Sequence, residues 1–137
     1  MTADPSHVGR RYAAPGQVVD GERARRMAAA IAGVAEAPDG PVPPTFAAVY
    51  CLAPVLDQLF ADEELGIDLA GLIHGDQSFE WPELVRAGDV VDTEGVIESL
   101  DQRRGMKLLR LRVEATRPSD RAVVCRGTSL LIARAAP

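Results

Sequence analysis

The stretch His74-Gly-Asp-Gln-Ser-Phe-Glu-Trp-Pro-Glu-Leu-Val-Arg-Ala-Gly-Asp89 is the most informative segment of this 137-residue chain. Its first half carries polar groups on one side and predicts a β-strand. That strand should end at Pro82, because proline has no N–H to donate to a sheet. Ala87-Gly88-Asp89 then closes a tight connection, and a second strand is predicted to begin at Val90.

The segments after this stretch keep the hydrophobic period of strands. Leu109, Leu111 and Val113 alternate with charged residues, which predicts one buried face and one solvated face. Hairpin-like connections are predicted between the later strands. Strands are predicted at residues 71–81, 90–100, 106–116 and 122–134, and residues 8–19 are predicted to be irregular with at most a short edge strand.

Two helices are predicted before these strands. Asp20 is suited to cap an amphipathic helix over residues 21–34. A more apolar helix is predicted over residues 46–64, capped by Thr45 and kinked or broken near Ala53, because Pro54 removes a backbone donor. An apolar helix followed by long antiparallel strands predicts an α+β architecture in which the sheet wraps over the helix.

The opening stretch resembles the MaoC-like hot-dog dehydratases and hydratases, in particular their N-terminal-type domain. Members of this family carry a similar His-Gly-acid-Gln run, an aromatic pair, a proline and Arg-Ala-Gly-Asp. A second family signature resembles Pro43-Pro44-Thr45-Phe46, at the start of the apolar helix. The resemblance implies a single hot-dog domain over residues 1–137, in agreement with the α+β prediction.

Composition narrows the classes of function. The net charge of −5 gives no electrostatic footprint for nucleic acid, so no nucleic-acid partner is expected. No membrane span is expected, and Cys51 and Cys125, which lack metal-site spacing, are predicted to be buried thiols in a reduced, cytoplasmic protein. Neither a metal nor another cofactor is predicted.

The candidate catalytic residues are His74 and Asp76. Residues i and i+2 of a strand project to the same face, so the two side chains are expected to share one pocket, where histidine suits proton transfer. A structural role for the pair, at a subunit interface, is the alternative. Catalytic relatives are expected to carry an Asp and a His in a Gly-Asp-x-Asn-Pro-x-His run before the central helix. This chain has only Glu36 and Asp39 there.

The candidate substrate-binding residues are Phe46, Tyr50, Gln77 and Trp81. Phe46 and Tyr50 are four residues apart and share a helical face. Together with Trp81 they are interpreted as the wall of an acyl pocket, with core or interface packing as the alternative. Gln77 should point to the opposite face from Asp76.

The resemblance and the missing catalytic run together suggest a subunit of a (3R)-hydroxyacyl-thioester dehydratase or enoyl hydratase. Such a subunit would shape the acyl tunnel beside a catalytic hot-dog partner, in a hetero- or homodimer, for an acyl-CoA or acyl carrier protein thioester. One alternative is a self-sufficient homodimeric dehydratase that uses His74 and Asp76. Others are a non-enzymatic acyl-thioester-binding protein and a thioesterase.

Overall fold

The computed structural model describes residues 4–37 and 39–134. Two α-helices and five strands account for most of the regular structure within these residues. In chain order they are β1 (Arg11–Val18), α1 (Gly21–Ala32), α2 (Ala53–Ala61), β2 (Leu72–Glu80), β3 (Val90–Arg103), β4 (Met106–Arg117) and β5 (Ala122–Arg134). The four strands predicted after the central helix are confirmed, and residues 11–18 form a full fifth strand.

The strands form one antiparallel sheet in the order β1-β3-β4-β5-β2. A two-residue turn joins β3 to β4, with positive φ angles at Arg104 and Gly105 that match the right-handed twist of the strands. One face of the sheet packs on the central helix and the other is solvated. The predicted α+β hot-dog architecture is confirmed.

Helix α1 begins where its sequence predicts and ends at Ala32, two residues before the predicted end. The Asp20 carboxylate accepts a hydrogen bond of 3.1 Å from the backbone N–H of Arg23, which satisfies one of the free donors of the first turn. Gly33 ends the helix in the left-handed conformation, with φ of 71°.

The apolar central helix is broken where Pro54 predicts a break. A π-helical turn spans Ala48–Leu52 and α2 follows from Ala53. The proline ring would clash with the carbonyl four residues back in a regular α-helix, and the wider turn avoids this clash. The predicted Thr45 cap is wrong: Thr45 lies inside a 3₁₀ turn, where its hydroxyl contacts the Met27 sulfur at 3.7 Å.

Segment Pro44–Ala61 is long and apolar enough to cross a membrane by length and composition alone, contrary to the sequence expectation that the chain contains no such run. A buried core helix passes the same test. Here several of the apolar side chains are buried in the core, and they include Phe46, Cys51, Val55 and Leu59. The segment is therefore the core helix of this fold.

The central helix packs tightly against the sheet at Gly95 of β3. A Cβ atom placed on Gly95 would lie 2.3 Å from Cγ1 of Val55, closer than real Cβ atoms approach any neighbour. Val55 is fully buried at this contact. The missing side chain of Gly95 thus sets how near α2 lies to the sheet.

We expect Gly95→Ala to lower the free energy of unfolding by about 1–3 kcal/mol, the usual cost of overpacking a core. Denaturant unfolding measures the change. Gly71→Ala is the matched control, because a Cβ at Gly71 meets nothing within 4 Å. Equal unfolding free energies for the two variants would contradict the close contact between Gly95 and Val55.

Candidate functional site

Strand β2 contains a bulge at Gly75, and this bulge rearranges the candidate catalytic residues. His74 pairs with Leu131 of β5, and Asp76 pairs with the adjacent Leu130, so that Gly75 is left without a partner. Cross-strand partners share a face of the sheet. His74 therefore lies on the inner face with buried Leu131, and Asp76 lies on the outer face. The prediction that His74 and Asp76 share a pocket is wrong for this reason.

Gln77 takes the place beside His74 that Asp76 was expected to occupy. The Nε2 atom of His74 lies 3.0 Å from Oε1 of Gln77, and the buried Ser129 hydroxyl donates to the same oxygen. Because an amide oxygen only accepts hydrogen bonds, His74 carries its proton on Nε2 in this contact. In the neutral ring, Nδ1 remains as the basic nitrogen. As predicted, Gln77 faces away from Asp76.

Gln77 is held in place by further bonds of its own. Its side-chain N–H donates to the Ser78 carbonyl at 2.9 Å, and its backbone N–H donates to the Asp76 carboxylate at 2.9 Å. Sequence reasoning missed Ser129, because the register between β2 and β5 alone brings it opposite Gln77. No local pattern around Ser129 indicates this contact.

Tyr50 and Trp81 meet in a second place, which we call the aromatic cleft. The cleft has a volume of about 500 Å³ and is mostly apolar. Its lining consists of residues 40–44, Tyr50, Trp81 and residues 83–87. The size and the apolar character of this cleft are typical of a site for a small ligand. The sequence analysis assigned Tyr50 and Trp81 to the wall of one pocket, and both residues do line this cleft.

Tyr50 forms the inner end of the aromatic cleft and is only 4% exposed. Burial raises the pKa of its hydroxyl above the ordinary value, the nearby thiols of Cys125 and Cys51 raise it further, and contact with Trp81 lowers it. The hydroxyl therefore stays protonated at neutral pH. Phe46 does not line the cleft: it is 1% exposed in the core, with its ring centroid 6.3 Å from that of Tyr50.

The cluster of polar side chains around His74 lies in a different part of the fold from the aromatic cleft. His74 lies near the start of β2 and Trp81 just past its end, about 20 Å apart at roughly 3.3 Å per residue. The ionisable side chains that line the cleft are Glu83, Arg86 and the Tyr50 phenol. The predicted site residues thus divide between two locations.

The loop that forms one wall of the cleft is fastened by Arg117. The Arg117 guanidinium donates to the Leu84 carbonyl at 3.0 Å and to the Asp89 carboxylate at 3.1 Å. Asp89 also accepts the backbone N–H of Arg86 at 3.0 Å, which closes the turn. Sequence reasoning identified this turn from Arg-Ala-Gly-Asp but missed Arg117, which lies in β4.

Other parts of the described chain offer less to an apolar ligand. A hollow of about 540 Å³ on the outer face is lined by several charged side chains, among them Arg11, Glu94 and Arg112. In the loop before the central helix, Asp39 pairs with Arg25 and Glu36 is exposed. No group of His, Cys, Asp or Glu side chains within residues 4–37 and 39–134 could hold a metal ion.

Comparison with known proteins gives the family. A family model described as the FAS1-like, dehydratase domain region matches residues 6–126. The chain belongs to this family. A UPF0336 protein of Streptomyces coelicolor is 35% identical over 151 residues, which cover 99% of this chain and 98% of that protein.

Two solved structures share the fold. The C-terminally truncated HadBC (3R-hydroxyacyl-ACP dehydratase) complex of Mycobacterium tuberculosis matches with a TM-score of 0.75 and 24% identity, over 96% of this chain and 99% of that one. The MaoC-like dehydratase of Rhodospirillum rubrum matches with a TM-score of 0.58 and 15% identity, over 95% and 94% of the two chains. The resemblance to MaoC-like hot-dog dehydratases is confirmed.

We expect Arg117→Ala to loosen the loop that walls the cleft, because the Leu84 carbonyl and Asp89 carboxylate lose a charged donor. Amide hydrogen exchange across residues 82–89 should become about tenfold faster. Arg11→Ala is the control, since Arg11 forms an exposed ion pair with Glu94 and its strand partner, Val96, lies well beyond the loop. Similar exchange in both variants would contradict the role given to Arg117.

Proposed function

We propose that this chain is the non-catalytic subunit of a (3R)-hydroxyacyl-thioester dehydratase or enoyl hydratase, and that it shapes the acyl-binding tunnel beside a catalytic hot-dog partner. The observation that supports this most is the aromatic cleft: it is an apolar cavity of about 500 Å³, and the described residues that line it include no carboxylate–histidine pair. We further propose that the protein acts in the cytoplasm on acyl-CoA or acyl carrier protein thioesters, without a nucleic-acid partner.

The chemistry of dehydration explains why a partner is needed. Removal of water from a 3-hydroxyacyl thioester requires one group to take the proton from the α carbon and a group to protonate the leaving hydroxyl. Such groups must stand within hydrogen-bond reach of the reacting atoms. Glu83 and Arg86 are exposed, and Arg86 is permanently charged. The proposed partner supplies the missing acid and base.

The two edge strands of the sheet differ in how well they could pair with a partner. Strand β1 contains Pro15, which has no N–H to donate, and its register shifts between Ala14 and Gln17. Both features discourage pairing with another chain. Strand β2 has no proline and exposes Ile73. We propose that β2 forms the edge at which the two hot-dog sheets join.

One observation favours a second candidate, a self-sufficient homodimeric enzyme. Gln77 and the buried Ser129 fix the orientation of His74, and this leaves Nδ1 of the ring as a base. Asp76 cannot assist on the same face, because the bulge at Gly75 turns it outward. In this alternative His74 would work with Gln77 rather than with Asp76.

The isolated chain is expected to hydrate crotonyl-CoA at least about 10²-fold more slowly than its pair with a hot-dog partner that carries the Gly-Asp-x-Asn-Pro-x-His run, because a missing general acid or base costs about that much. Steady-state turnover of the chain, the partner and the pair measures the difference.

His74→Ala separates the two candidates, with Asp76→Ala as the matched control on the opposite face of β2. If the proposed function is correct, neither change should lower the turnover of the pair by more than a few-fold. Rapid turnover by the isolated chain that falls by about 10²-fold in His74→Ala would instead establish the homodimeric enzyme.

We expect Ile73→Lys to weaken the subunit association about tenfold or more, because a charge replaces an apolar side chain at the joining edge. Sedimentation velocity of the chain, alone and with its partner, measures the change. Ile31→Lys is the control: Ile31 is 68% exposed on α1, compared with 60% for Ile73. A monomer under every condition would rule out the proposed edge.

A further inference from the structure

We infer that Gly127 is a positioning residue for acyl-length specificity: it seats the Phe79 ring, which in turn holds Trp81 at the wall of the aromatic cleft. The inference rests on the proposed function, because it assumes that the cleft receives the acyl chain. It assigns a role to two residues that lie outside the lining of the cleft, Gly127 and Phe79.

Gly127 and Phe79 are direct partners across β5 and β2, and the two residues are in close contact. A Cβ atom on Gly127 would lie 2.8 Å from Cδ1 and 2.9 Å from Cε1 of the ring, and 2.9 Å from the Ser78 carbonyl oxygen. Real Cβ atoms essentially never approach so closely. The ring therefore occupies the space that any other residue at position 127 would fill.

The Phe79 ring in turn contacts the indole of Trp81. The two residues are two apart along the chain, and their ring centroids lie 5.8 Å apart with an interplanar angle of 38°. Contacts of this kind between aromatic rings are favourable beyond simple burial of area. Trp81 is 39% exposed, so it has fewer packing neighbours to hold it in place than a core residue has. The Phe79 ring is the aromatic support on which the indole rests.

The position of the Trp81 indole affects the shape of the aromatic cleft. Trp81 lines the cleft together with Tyr50, and the indole also contacts the Tyr50 hydroxyl. A side chain at position 127 pushes the Phe79 ring toward Trp81 and narrows the cleft. Loss of the Phe79 ring leaves space behind the indole and lengthens the cleft. Substitutions at these two positions therefore change the preferred acyl length in opposite directions.

The experiment uses the full chain, because every residue that lines the cleft belongs to it. Trp81 is the only tryptophan, so the intrinsic fluorescence reports on the cleft directly. Butanoyl-CoA, octanoyl-CoA and hexadecanoyl-CoA are titrated against the native chain, Gly127→Ala and Phe79→Leu. The emission spectrum of each unliganded protein is recorded as well.

Gly127→Ala should shift the ratio of short-chain to long-chain affinity about tenfold toward short chains, and Phe79→Leu should shift it about tenfold the other way, the usual effect of adding or removing apolar volume in a pocket. Both changes should move the Trp81 emission maximum. Leu109→Ala is the control for loss of packing: Leu109 is fully buried, but it pairs with Leu131 at the end of the sheet near His74, so its truncation should change neither readout.

The outcomes separate the inference from the proposed function. If no acyl-CoA alters the fluorescence of the native chain, the cleft is not an acyl site, and both the proposed function and this inference fail. If the native chain binds but Gly127→Ala and Phe79→Leu keep its length preference and emission, the proposed function stands and the positioning role is overturned. Changes in emission that Leu109→Ala reproduces equally would also overturn it, since they would reflect general loss of packing.

Discussion

The structure depends on the docking of the central helix along β3 at two points. The Thr93 hydroxyl donates to the Cys51 carbonyl at 2.7 Å, and Val55 packs on Gly95. Four residues of helix rise about 6 Å and two residues of strand about 6.6 Å, so both contacts can form together. This docking brings Tyr50, one residue before Cys51, to the inner end of the aromatic cleft.

The bulge at Gly75 has the largest consequence for chemistry. An unbroken strand would place His74 and Asp76 on one face, as a proton-transfer pair requires. The extra residue turns Asp76 outward and brings Gln77 beside His74, so a neutral amide replaces the carboxylate. A neutral acceptor orients the imidazole ring but stabilises its positive charge less than a carboxylate would. The geometry thus suits His74 to a structural role on the edge strand β2 better than to acid–base catalysis.

Family membership indicates the class of protein, whereas the local geometry supports a particular role within that class. The match to dehydratase domains over residues 6–126 and the shared fold establish the class of protein. The proposed division of labour rests on three local features: the aromatic cleft, the hydrogen bonds of Arg117 to its loop, and the contact of Phe79 with Trp81. These features define an apolar wall of fixed shape, which a binding subunit requires, and they add no proton-transfer group to it.

The sequence alone determined the α+β hot-dog class, the cap of α1 at Asp20, the break of the central helix at Pro54 and the pairing of Tyr50 with Trp81 in one place. The α+β class, the cap and the break follow from local rules: hydrophobic period, side-chain caps and the missing N–H of proline. The hot-dog fold was implied by the resemblance to a known family, and Tyr50 and Trp81 were grouped because both were interpreted as the wall of an acyl pocket. Only the tertiary structure decided which face Asp76 occupies, that Ser129 meets Gln77, that Arg117 clamps the loop and that Phe46 belongs to the core. Each of these depends on strand register or on contacts between distant segments, and a single bulge reverses the face of a side chain without leaving a clear signal in the local hydrophobic pattern.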